Sequence, residues 1–296
     1  MNKLRRRFPV LTGILLTVLF PLVSLVASLP LLLLPELWSQ GEYLPQLVVE
    51  LLMLGIMVLL SFLLGMGYIY APSRLPLSRR ILPALPIVVL YTFALLELLI
   101  LHGTETPESP LRILWFVLCM LAVGVTEEVV FRGMITRMIF ERYGATSVGV
   151  WLSVTVSSLL FGLVHLINGV GTADLGGVLI QMAGAAALGL CLAAVYLRSK
   201  SLWTVALLHG YMDFCALVPS GLFGEGSIEE AVSGYSAGNL VTVVLYSALA
   251  LFLLRPSQMK RITRPGIPYR DSELIGLMVA VMLLSGLMSM VTALSL

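Results

Sequence analysis

Ionisable side chains fall at three places inside segments that are otherwise apolar enough to lie in a membrane. They are Glu127-Glu128-x-x-x-Arg132, Phe161-x-x-x-His165 and His209-x-x-x-Asp213. A charged group in hydrocarbon costs at least ~2.5 kcal/mol on insertion scales, so such groups persist where they pair, bind or react. Two carboxylates, two imidazoles and one more carboxylate, carried by separate spans, are the parts of a buried hydrolytic site.

Residues four apart share a helix face. Glu128 and Arg132 therefore meet as an ion pair, with the acid on the N-terminal side. Glu127 is turned by about 100° from that pair and is free to point into a cavity. The doublet divides the labour: one carboxylate structural, its neighbour reactive. Phe161 with His165, and His209 with Asp213, likewise share faces. Taken singly, each cluster has a plainer reading: acids marking a helix end, a core histidine bonded to a carbonyl, and a His–Asp bond between two turns. Together they are harder to explain as packing.

Two chemical routes to amide hydrolysis stay open at this level. Glu127, His165, His209 and Asp213 could ligate a metal such as zinc, whose bound water ionises near pH ~7. Alternatively Glu127, assisted by His165, deprotonates water directly while His209 and its neighbour stabilise an oxyanion. The H-E-x-x-H and G-x-S-x-G patterns are absent. Cys119, Cys191 and Cys215 lie in apolar spans without metal-type spacing and read as small buried hydrophobes.

The elements that must position these groups are membrane helices. Of 296 residues, 59% are hydrophobic and 11% charged, against about 25% charged in a soluble domain. Nine apolar stretches are long enough to cross, near 9–34, 46–70, 82–101, 111–131, 148–167, 176–197, 202–218, 238–254 and 274–294. Because the seventh and eighth are short, the expected fold is an all-α, polytopic membrane helix bundle of about eight or nine transmembrane helices around an intramembrane active-site cavity. Seventeen of the 18 Lys and Arg residues fall at alternate span ends, Arg112 being the exception. The positive-inside rule then makes the N-terminus cytoplasmic in a multi-pass protein of the cell membrane. The basic loops lack aromatic interleaving, and nucleic acid is not an expected partner.

Depth sets a further expectation. Glu127 lies near the end of the fourth span, whereas His165 lies near the far end of the fifth. If the fourth helix runs on to Tyr143, Glu127 stands ~24 Å and His165 ~31 Å above the Gly144 turn, close enough to meet with modest tilt. Glu50 and Glu97, near outer span ends, are expected to reach out to the interface. Asn168 is a candidate to orient His165.

Thr126-Glu127-Glu128-Val129-Val130-Phe131-Arg132-Gly133, then Phe161-Gly162-Leu163-Val164-His165, then His209-Gly210-Tyr211-Met212-Asp213 resembles the CPBP intramembrane protease family, which includes the type II CAAX prenyl endopeptidases and bacteriocin-processing proteins. The resemblance spans roughly 112–218, suggesting a catalytic core there between N-terminal spans at 1–111 and C-terminal spans at 219–296. It implies that Glu127 with His165 activates water, that Glu128 with Arg132 holds the helix, and that His209 with residue 213 supports the oxyanion. Prenyl endopeptidases often carry Asn at that last position. An ionised Asp213 cannot donate to an oxyanion, so it must be protonated, orient His209 or bind a metal.

The leading function is thus an intramembrane endopeptidase acting on a membrane-associated protein or peptide precursor. An ion-coupled transporter would use similar intramembrane acids and histidines, but no internal repeat is visible. A catalytically silent immunity or scaffold protein is the third reading.

Overall fold

The computed structural model describes residues 2–169, 175–228, 230 and 235–263, and every regular element among them is helical. In chain order these are α1 (Asn2–Arg7), α2 (Pro9–Ser28), α3 (Tyr43–Leu63), α4 (Leu77–Ile81), α5 (Leu85–Leu101), α6 (Pro110–Glu128) and α7 (Arg137–Tyr143). There follow α8 (Ser147–Val164), α9 (Leu175–Ser199), α10 (Leu202–Ala216), α11 (Val218–Phe223), α12 (Leu240–Leu253) and α13 (Pro256–Ile262), with short 3₁₀ turns between some of them.

Five helical runs are long and apolar enough to cross a membrane: Pro9–Leu33, Tyr43–Leu63, Pro110–Tyr143, Ser147–Asn168 and Leu175–Ser199. The segment holding α12 and α13, bent by 66°, makes a sixth if counted as one span. The third and seventh expected spans are helices of only 17 and 15 residues. The stretch 274–294 lies outside the described residues. Length and composition thus support five or six crossings among the described residues, short of the eight or nine expected. Large apolar side chains stand outward along the early helices, such as Leu22 and Phe93 at 54% and 69% exposure. A bilayer satisfies that surface and water does not.

The fourth span is continuous to Tyr143, as depth required: Pro110–Tyr143 is one 34-residue run with no break at Gly133. Its regularity does change. Between α6 and α7, Val129–Thr136 is wound as a π-helix, with every side chain buried. The Thr136 hydroxyl donates to the Phe131 carbonyl at 2.8 Å, five residues back. It lies 2.7 Å from the Ser157 hydroxyl of α8, which fastens the widened turns to the next span.

In the bundle α6 packs against α3 and α10, and α9 packs between α8 and α12. Where α6 crosses α10 the two backbones touch. A Cβ on Gly124 would come within 2.7 Å of the Ala206 carbonyl oxygen, and one on Gly210 within 2.8 Å of the Met120 carbonyl oxygen. Small residues permit such approach between membrane helices. One turn beyond Gly124 lie Glu127 and Glu128, and His209 adjoins Gly210, so this crossing sets the site's spacing.

One end of the bundle is tied by charge. The Arg5 guanidinium donates from Nε to the Leu64 carbonyl at 2.7 Å and pairs with Glu141 at 3.4 Å. Glu141 also receives the Tyr68 hydroxyl and Arg137 Nε, each at 2.8 Å. α1, the segment after α3 and α7 thereby share one basic end.

Candidate active site

α6 carries Glu127 and Glu128 side by side, and helical geometry sends them in different directions, as the doublet suggested. Glu128 is wholly buried and its Oε1 lies 2.8 Å from Arg132 Nη1. The contact is ionic, since its angles do not make a directed hydrogen bond. The Arg132 guanidinium also lies over the Phe161 ring, 4.4 Å from its centroid. Cation–π contact of a desolvated arginine adds to the pairing.

The structure gives Glu128 a second duty. His209 Nδ1 lies 2.9 Å from the same Oε1. An ionised carboxylate only accepts, so Nδ1 carries the proton and Nε2 faces the other way. That nitrogen is 3.6 Å from Glu127 Oε2 and 3.7 Å from Asp213 Oδ2. Asp213 thus sits beside His209 on one helix face, and its Oδ2 has no hydrogen-bond partner.

His165 ends α8. Its Nδ1 lies 2.9 Å from the Phe161 carbonyl, which can only accept, so the lone pair belongs to Nε2. The Phe161 ring stands edge-on to both imidazoles, with centroids 5.0 Å from His165 and 5.8 Å from His209. Phe161 is thereby the spacer under Arg132, His165 and His209. Asn168 does not orient His165; its amide donates to Gln181 Oε1 at 3.1 Å instead.

Glu127 and His165 open onto one cavity of about 370 Å³. Its walls come from α2 (Phe20, Pro21, Ser24), α3 (Glu50, Met53) and the Ile167–Asn168 turn. His209 and Asp213 are not on this wall. The six residues singled out by pattern are therefore gathered in two layers: Glu127 and His165 at the cavity, with His209, Asp213, Glu128 and Arg132 behind Glu127.

The cavity wall also holds a residue the sequence reading misplaced. Glu50 was expected to reach the outer interface; it is 7% exposed and faces the cavity. Gln46 donates to its Oε1 at 3.1 Å, while Oε2 is buried without a partner. The Thr126 hydroxyl, adjacent to Glu127, reaches the Glu50 carbonyl at 3.4 Å. No local pattern marks Glu50, since α3 is apolar on nearly every face. Only the odd acid eight residues into an apolar run hinted at it.

As a metal-ligand set, Glu127, His165, His209 and Asp213 are not closed. Among the described residues, the trio whose ligand atoms lie mutually within 4.8 Å is His102, Glu105 and Glu225, none of which lines this cavity. His209 Nε2 is instead shared between two carboxylates. No step of the chemistry proposed below is routed through a metal.

Residues 109–215 match the sequence model of the family described as type II CAAX prenyl endopeptidase Rce1-like. Over these residues the chain is similar to that family. No curated protein and no solved structure matches the chain. The match begins one residue before α6 and ends within α10, so the matched segment contains all six patterned residues while Glu50 lies outside it. The apolar helices and this match together fit a multi-pass membrane protein.

Proposed function

We propose that this protein is an intramembrane endopeptidase that cuts a peptide bond of a membrane-associated substrate with a water held between Glu127 and His165, without a metal. The observation that carries the reading is the shared cavity: Glu127 and His165 face the same hollow, and His209 Nε2 lies 3.6 Å behind the Glu127 carboxylate.

In this reading His165 Nε2 accepts a hydrogen bond from the water and Glu127 removes its other proton as the oxygen attacks the scissile carbonyl carbon. The C–N bond then breaks, and the proton held by Glu127 passes to the departing amine. His209, fixed by Glu128 and Arg132, supplies positive charge beside Glu127 as negative charge develops. Asp213 lies on the second side of that imidazole, 3.7 Å from Nε2. The apolar stretch of the wall, Phe20, Leu25, Val164 and Ile167, suits a lipophilic segment next to the cleaved bond. By the distribution of Lys and Arg, the N-terminus faces the cytoplasm of a cell membrane.

Purified protein in bilayer discs, given a quenched peptide carrying an apolar or prenylated C-terminal segment, tests this. Glu127→Gln should lower the cleavage rate at least about 10²-fold, the lower bound for losing a general base, while its melting temperature stays near the parent's. Cleavage persisting in that variant, or abolished by chelator in the parent and restored by zinc, would overturn the metal-free mechanism.

A further inference from the structure

Four cations converge on a cavity that the protease site does not use. Arg79 of α4, Arg198 of α9, Lys200 of the turn after it and Arg261 of α13 line a hollow of about 540 Å³. Gln258 adds a neutral polar group, and no carboxylate among the described residues lies on the wall. Among the described residues no Asp or Glu forms an ion pair with any of the four.

Basic residues at span ends are ordinary topology signals, but those need only be spread over a surface. Here they come from three separate parts of the chain to one concavity, an arrangement suited to a bound anion. Lys200 adds an independent sign. It is the one described non-glycine residue with positive φ, at 52°, a conformation a lysine rarely adopts. Its amide is held by the Tyr196 carbonyl at 2.8 Å, and the Ser73 hydroxyl donates to the neighbouring Ser199 carbonyl at 3.0 Å. Lys200 also borders a second hollow with Arg74 and Arg137. This left-handed residue ends α9 and leaves Lys200 on the border of both hollows.

The remaining wall is apolar, with Leu75, Leu82, Leu197 and Ile262, and Leu82 is 60% exposed at its edge. Cationic and apolar side chains lining one hollow match a phosphate group on an amphiphile. We propose that this cavity binds a phosphate-bearing anion, with the guanidinium and ammonium groups on the phosphate oxygens. The ligand source is an anionic phospholipid or free phosphate, and the two are separable.

The test reads binding rather than cleavage, so it stands apart from the proposed peptidase activity. Full-length protein in neutral detergent is melted against increasing phosphatidylglycerol, phosphatidylcholine or inorganic phosphate. Phosphatidylglycerol should raise the melting temperature saturably and phosphatidylcholine should not. The pair Arg79→Gln with Arg261→Gln should move the half-saturation point up by about tenfold. The pair Arg6→Gln with Arg7→Gln, removing equal charge outside the cavity, should leave it in place. Lys200→Gly relieves the strained φ, so it should melt no lower than the parent without ligand yet respond less to lipid. Inorganic phosphate that competes with the lipid assigns the site to free phosphate, and phosphate without effect assigns it to the phospholipid. Absence of any saturable shift, or equal weakening by the Arg6 and Arg7 pair, overturns the proposal.

Discussion

His209 Nδ1 donates to Glu128 Oε1 at 2.9 Å, across 81 residues of sequence. The same oxygen faces Arg132 Nη1 at 2.8 Å, so one fully buried carboxylate answers two groups that can carry positive charge. Glu128→Ala leaves Arg132 buried and uncompensated, which typically costs about 3–5 kcal/mol. The expected result is a large fall in melting temperature together with lost cleavage, unlike Glu127→Gln. A variant that melts within a degree or two of the parent would show that Arg132 finds another partner.

Gly210→Ala should also be destabilising, because the new methyl meets the Met120 carbonyl at 2.8 Å and the backbone of Leu121 at 3.2 Å. Overpacking of this kind typically costs about 1–3 kcal/mol. Forcing α10 from α6 also lengthens the His209–Glu127 gap. Thermal melting and cleavage should fall together; unaltered cleavage would mean the crossing does not set the site.

Glu50→Gln should separate stability from function. The parent keeps Glu50 Oε2 buried and unpartnered, an arrangement that costs on the order of 1–3 kcal/mol for a polar group and more for a charged one. The amide keeps Oε1's role toward Gln46 and removes the carboxylate. Melting temperature should hold or rise while kcat/KM falls, through KM if Glu50 contacts the substrate backbone and through kcat if it moves a proton. Unchanged kinetic constants would make Glu50 a bystander of the cavity.

Just beyond α5, His102 clips the chain to Glu225. Its Nδ1 lies 2.8 Å from the Leu98 carbonyl and its Nε2 3.0 Å from Glu225 Oε2. The Leu98 hydrogen bond, followed by Glu225, holds the His102 pKa above its ordinary value. A hydrogen bond with Glu105, then one with His102, holds Glu225 below its own. A raised histidine stabilises fully below its unfolded pKa and loses that contribution as pH rises through the folded value. A lowered carboxylate stabilises above its unfolded pKa and loses that as pH falls through the folded value. The clip is therefore strongest between about pH 4.3 and 6.5, the unperturbed values of the two groups. The difference in melting temperature between the parent and His102→Asn should be largest in that window and shrink at alkaline pH. A difference independent of pH would mean that packing of the His102 ring on Phe223, 5.0 Å apart, is what matters.

Much of the site could be read from spacing because helix periodicity is local. Glu128 with Arg132, and His209 beside Asp213, follow from residues four apart. The run of the fourth span to Tyr143 followed from the need for Glu127 and His165 to meet. What stayed hidden depends on how helices turn against one another. Glu50 reaches the cavity because α3 presents that face to α6, and a helix apolar all round has no stripe to announce its orientation. The bond from His209 to Glu128 is of the same kind, since it is set by the Gly124–Gly210 crossing. Asn168 has Gln181 as its partner from the following helix, which spacing to His165 could not reveal.

The π-wound stretch from Val129 to Thr136 amounts to a surplus residue in a bilayer helix. Winding the same residues as an ordinary α-helix would recover the usual amide pairing. It would also swing the stretch from Arg137 onward by about 100° relative to Glu127. That helix would be the more regular one, and Glu141 could no longer be in register with both Arg5 and Tyr68 while Glu127 faces the cavity. The irregularity is thus what lets one long span satisfy two neighbourhoods at different depths.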